Sequence, residues 1–222
     1  MSRTLAVLRP EPGNAATAAR AVAAGYAVLR LPLFAVVPLD WPVSDVRDHD
    51  ALVLTSANTV RAGGAALASL AMLPVIAVGE QTAAAARAAG LSVAATGNSD
   101  ATGLATLLAT RGISRALHLS GRERTSVDGV TRAIAVYASE PRAVASADLA
   151  ELAGSVALLH SARAAIRLGA LFDSADIPRA QVAIGAFSAA IAAAAGSGWR
   201  GVAVARAPSD AALFAAIDTL GR

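Results

Sequence analysis

The chain repeats itself in outline, and that repeat limits the folds open to it. Leu52-Val53-Leu54-Thr55-Ser56-Ala57-Asn58 resembles Ala157-Leu158-Leu159-His160-Ser161-Ala162-Arg163. Val75-Ile76-Ala77-Val78-Gly79-Glu80-Gln81-Thr82-Ala83 resembles Gln181-Val182-Ala183-Ile184-Gly185-Ala186-Phe187-Ser188-Ala189. The spacing is 105 residues for Ser56 and Ser161, and 106 for Gly79 and Gly185, Thr82 and Ser188, and Gly90 and Gly196. Ser99-Asp100-Ala101 matches Ser209-Asp210-Ala211 after a short insertion. Ala pairs carry no weight in a chain this rich in Ala; the Ser, Gly, hydroxyl and Asp pairs do.

Each repeat reads as strand, polar turn, helix, strand, Gly turn, helix. The strands Leu52–Leu54, Val75–Val78, Val156–Leu159 and Val182–Ile184 are short unbroken apolar runs, the pattern of strands covered on both faces of a parallel sheet. Gln81 to Gly90 predicts a helix closed by Gly90. Alternating strands and helices imply right-handed crossovers and a doubly wound α/β sheet.

The first residues add a strand over Thr4–Leu8, a helix over Ala15–Ala24 and a strand over Ala27–Leu31, with no partner between the repeats. Two extended segments follow, Pro32–Pro38 and Ala133–Pro141. They predict a discontinuous layout. Residues 1–33 with 142–222 form one domain, 39–132 an inserted one, and 34–38 and 133–141 the linker between them.

Composition closes off several chemistries. All 19 basic residues are Arg, and there is no Cys. That excludes a thiol nucleophile, a Cys-held zinc, a Schiff-base lysine and a complete Walker A loop. The Arg are scattered rather than gathered on a basic face, which argues against nucleic acid and for small anionic ligands. The longest uncharged stretch, Ala180 to Trp199, is mostly Ala and is broken by Gly, so a membrane span is not expected. The first ten residues lack the apolar core of a signal peptide, and the missing Cys fits a reducing compartment; a cytoplasmic location is expected.

In this order the motifs resemble a family. Arg9-Pro10 after the first strand, Thr55-Ser56-Ala57-Asn58, Val78-Gly79 with Thr82-Ala83, a strand ending in Tyr137, Ser161, and Ile184-Gly185 with Ser188-Ala189 are similar to uroporphyrinogen-III synthases over nearly the whole chain. The resemblance implies two flavodoxin-like parallel-sheet domains joined by a two-stranded extended linker. It implies as substrate hydroxymethylbilane, a linear tetrapyrrole polycarboxylate, closed into a ring with loss of water and inversion of the last pyrrole. It implies no cofactor, and a monomer without nucleic-acid or membrane partners is expected. Between Gly121 and Ala133 the chain is shorter than the helix usual in the family would need.

Polar turns after strands place donors where open α/β sheets bind ligands. Ser56 and Asn58 are expected to cap one helix and Ser161 its counterpart, with Thr82 and Ser188 in the first turns of the next pair. These residues, with Thr55, are the substrate-binding candidates; as mere caps each is worth about 1 kcal/mol. Arg9, after the first strand, offers a fork for a carboxylate. Tyr137 is the catalytic candidate: a phenol stays protonated at neutral pH and suits the acid that a leaving hydroxyl needs. Tyr26 reads as structural, His118 as core, and His160 as a residue facing a cleft. A hinge-closing receptor for an anionic small molecule, without chemistry, is the alternative.

Overall fold

A computed structural model describes residues 3–43, 45–97 and 101–221. In chain order its elements are β1 (Thr4–Val7), α1 (Gly13–Ala23), β2 (Ala27–Arg30), β3 (Phe34–Pro38), β4 (Ala51–Leu54), α2 (Ala57–Ala62), β5 (Val75–Val78), α3 (Glu80–Ala88), β6 (Val93–Gly97), α4 (Ala101–Thr110) and β7 (Ala116–Gly121). There follow β8 (Val130–Pro141), α5 (Ser146–Ala150), β9 (Val156–Leu159), α6 (Ala162–Ser174), β10 (Ala183–Ala186), α7 (Ala189–Ala194), β11 (Val202–Val204) and α8 (Asp210–Asp218). The chain forms two compact units. Unit 1 is Met1–Ala35 with Glu140–Arg222, and unit 2 is Val36–Ser139. The boundaries fall inside β3 and β8.

Unit 1 holds a parallel sheet in the order β2-β1-β9-β10-β11. Leu5 lies opposite Val156, so the first strand joins the second repeat rather than the first. Alternation along β1 splits the core between two faces. Leu5 and Val7 pack with Ala18 and Ala21 of α1 and Leu213 and Ile217 of α8. Ala6 and Leu8 pack with Leu168 and Phe172 of α6. The small Ala side chains of α1 let that helix lie close to the β-branched and Leu-rich strands. Each fully buried Leu contributes about 1.5–3 kcal/mol. Tyr26 is structural: its hydroxyl donates to Asp218 at 2.7 Å and its ring meets Phe214.

Unit 2 holds the order β3-β8-β7-β4-β5-β6, parallel from β8 to β6. Leu52, Leu54, Leu117 and Leu119 face Ala83 and Ala86 of α3. Ala51, Val53, Ile76 and Ala116 face Leu104 and Leu108 of α4. The strand pair β1 and β2 does have a counterpart, contrary to the sequence reading. Aligned through the repeat, β9-β10-β11 correspond to β4-β5-β6, and β1 and β2 occupy the places of β7 and β8. The two sheets thus have one layout entered at different strands. The 2-1-3-4-5 order of flavodoxin-like sheets holds in unit 1, whereas the five parallel strands of unit 2, β3 left aside, run 3-2-1-4-5.

The counterpart was hidden because its crossover differs. β1 and β2 are joined through α1, but β7 and β8 are joined by residues 122–129 alone, without a helix. A parallel crossover usually takes a dozen residues or more. Val127 of this segment packs into the α4-side core in place of a helix.

Candidate functional site

In open α/β sheets the ligand crevice opens where neighbouring strands send their connections to opposite faces. That point lies between β4 and β7 in unit 2, and a cavity of about 370 Å³ is found there. Thr55 and Ser56 enter it from the end of β4, His118, Ser120 and Gly121 from β7, and Tyr137 from β8. Leu104 of α4 and Glu123 and Arg124 of the crossover close its sides. The helix-free crossover explains the space: an extended strip covers this face more thinly than a helix does.

Three of the predicted residues, Thr55, Ser56 and Tyr137, therefore share one cavity. Tyr137 lies beside Gly121, its register partner in β7. His118, read from sequence as core, is indeed only 3% exposed, yet it borders the cavity. It pairs with Val53 in register and so shares a face with Thr55, two residues on. Its Nε2 stands 3.0 Å from Thr55 Oγ1. Burial, and secondly the Arg124 cation, push its pKa down to about 4, so the ring is neutral at neutral pH. The signal that reveals His118 is its register with Val53, which no sequence pattern prints.

Ser56 caps α2, accepting from the Asn58 N–H at 3.1 Å. Asn58 is not a second cap; it lies inside the helix, where its side chain accepts from Arg61 at 2.9 Å. Thr82 is the third residue of α3, on the opposite face of the sheet, and is 4% exposed. Neither lines this cavity.

The other candidates belong to unit 1. Ser161 caps α6 through the Ala164 N–H at 3.2 Å, and Ser188 caps α7 through the Ile191 N–H at 3.3 Å. Ser188 is thus the cap itself and not a first-turn residue. Ser56 and Ser161 have matching backbone angles, φ −152° and −154°, so the repeat survives as geometry. Gly90 and Gly196, at φ +80° and +75°, follow the equivalent helices in the left-handed conformation that favours Gly. The match of Asp100 to Asp210 lies outside the described residues.

At the switch point of unit 1, between β1 and β9, the polar groups are tied to one another. Asp210, at the start of α8, accepts from the Thr17 hydroxyl at 2.8 Å, from Arg20 Nε at 2.8 Å and from His160 Nε2 at 3.1 Å. Burial alone would raise its pKa; the hydrogen bonds from His160, Arg20 and Thr17 outweigh it and hold the carboxyl well below its usual range. His160 is thus turned to Asp210 and stacks edge-on to Phe187, rather than standing free at a cleft. Arg9 is half-buried, reaches Thr17 at 3.4 Å and has its pKa lowered by burial, opposed by Asp210.

The chain is a doubly wound α/β protein with hydroxyl-bearing residues at its strand ends and a phenol in a cavity at a switch point, the place where such folds bind ligands. The profile of the family described as "Uroporphyrinogen-III synthase HemD" matches residues 15–215. The chain belongs to the uroporphyrinogen-III synthase family. Its fold is similar to that of the uroporphyrinogen-III synthetase of Helicobacter pylori, with 16% identity, a TM-score of 0.65 and all of both chains covered. A mutant uroporphyrinogen III synthase of the extremely thermophilic bacterium Thermus thermophilus is also similar, with 18% identity, a TM-score of 0.55, and 99% of this chain and 100% of that one covered. Comparison with curated protein sequences finds no match. Among the described residues no helix is long and apolar enough to cross a membrane.

Proposed function

We propose that this chain cyclises hydroxymethylbilane, with loss of water and inversion of the last pyrrole ring, in tetrapyrrole biosynthesis. One observation carries the reading beyond family membership: Tyr137 of β8 lines one cavity with Thr55 and Ser56 from the end of β4, at the switch point of unit 2. The pyrrole nitrogen pushes its electron pair toward the ring carbon, and the C–O bond breaks. The Tyr137 phenol gives its proton to the departing hydroxide, which leaves as water. For the last ring to invert, its substituted α-carbon bonds first to the cationic methylene, and its bond to the neighbouring ring's methylene breaks. That freed methylene then bonds to the ring's unsubstituted α-carbon, which releases one proton that the phenolate takes back.

Binding is shared among many donors. Ser56, Ser161 and Ser188 each accept one helix N–H, and each keeps its own hydroxyl proton for a substrate carboxylate. The helix amides behind them add N–H groups and a favourable dipole. Thr55 adds a further hydroxyl, and Arg9 a cation. Asn58 and Thr82 contribute through their places in the first turns of α2 and α3. In this reading β3 and β8, which contain the unit boundaries, act as the paired linker. A cytoplasmic location goes with it, supported by the Cys-free sequence.

The test is to supply freshly made hydroxymethylbilane and separate the type III from the type I product. Type III in excess of the uncatalysed background is expected. Tight binding with no excess would favour the hinge-closing receptor instead.

A further inference from the structure

His118 is a buried titratable group in the wall of the cavity, and the reaction scheme makes no use of it. A neutral imidazole carries one N–H and one lone pair. Thr55 carries one hydroxyl proton. The 3.0 Å contact between His118 Nε2 and Thr55 Oγ1 therefore has two forms. If Thr55 donates to the ring, only its lone pairs face the cavity, and they repel an anionic ligand. If the ring donates, the Thr55 proton is released to the ligand.

Resting on the reading of this cavity as the substrate site, the geometry points to the second form: His118 is a positioning residue whose Nε2–H donates to Thr55 Oγ1 and directs the Thr55 proton to a carboxylate or hydroxyl oxygen of the tetrapyrrole. The phenol of Tyr137 and the guanidinium of Arg124 line the same cavity as further donors, beside one carboxylate, that of Glu123. A hydroxyl that accepts one hydrogen bond becomes a stronger donor in the next. Unit 1 shows the closed version of this arrangement. His160 follows β9 as Thr55 follows β4, and its ring nitrogen meets a carboxylate of the protein itself, Asp210. In unit 2 the chain of hydrogen bonds ends on a hydroxyl that lines a cavity.

Nitrogen-15 NMR of the unliganded wild-type chain at neutral pH reads the tautomer directly. A protonated Nε2 on His118 is expected, and a lone pair there overturns the proposal without any variant having to fold. In kinetics, Thr55→Val and His118→Phe should each lower kcat/KM about tenfold, the size of one hydrogen bond to a charged group. The double variant should lose no more than either alone. His118→Gln places an amide N–H within the same reach and should recover most of the loss. Additive losses, or a folded His118→Gln as poor as His118→Phe, overturn the role. A wild-type chain without turnover overturns the functional reading; a lone pair at Nε2 in an active chain overturns this role of His118 alone.

Discussion

The Tyr137 ring occupies the space that any side chain at Gly121 would need: a β-carbon there would stand 2.9 Å from Cζ and 3.0 Å from the phenol oxygen. Gly121 is therefore part of how the phenol is placed. Gly121→Ala should push the ring aside and cost about 1–3 kcal/mol of stability through overpacking. Turnover should fall more than the fold does, because the displaced atom is the proposed acid. Denaturant midpoints and cyclisation rates on the same protein check this, and an unchanged rate would remove Tyr137 from the chemistry.

Tyr137→Phe keeps the ring and removes only the hydroxyl. A general acid is worth about 100- to 10,000-fold, so a rate loss in that range is expected, with substrate affinity little changed. Type III should remain the main product, since the shape of the site and not the phenol holds the last ring for inversion. Single-turnover kinetics, with the products separated, measure both.

Acid should destabilise the protein in two stages. His118 titrates at about 4 in the fold against an ordinary 6.5. Between those values the unfolded chain holds a proton that the folded one refuses, so the His118 contribution is complete above about 6.5 and is lost as pH falls toward 4. Asp210 is held below its ordinary 3.8, so its contribution is complete above the carboxylate range and is lost as pH falls through and below it. Urea midpoints from about pH 8 to about pH 3 should show both limbs. His118→Gln should flatten the upper one, and Asp210→Asn the lower. Asp210→Ala should cost about 3 kcal/mol, the low end for breaking a buried pair, because its partner Arg20 is 52% exposed.

Ser56→Ala and Ser161→Ala should each cost about 1 kcal/mol as lost caps. Neither should abolish binding of a polycarboxylate tetrapyrrole, because the amides behind them remain. Affinity should fall with added salt, as screening weakens the charged part of the interaction. Calorimetric titration of each variant checks this. Complete loss of binding from either change, with the fold intact, would show that one hydroxyl and not a shared set of donors holds the ligand.

Strands buried on both faces are mostly apolar, and an oxygen-bearing side chain is favoured where a helix begins after them. The runs at Leu52, Val75 and Val156 and the Ser residues at 56, 161 and 188 obey those local rules, so the sequence by itself determined the parallel sheets, the helix starts and the repeat. Tyr137 was legible as a candidate through family resemblance. That the first residues join the second repeat was expected from the two extended segments; the register of β1 on β9, the counterpart relation of β1 and β2 to β7 and β8, and the cavity under a crossover with no helix were decided only by tertiary structure. So was the fate of the histidines: His118 reaches Thr55 from a residue 63 positions away, and His160 turns to Asp210, 50 positions away. Periodicity reports which face of an element is covered, because burial acts on each residue in turn. It does not report which strand lies alongside, because that depends on the joint packing of segments far apart in the chain.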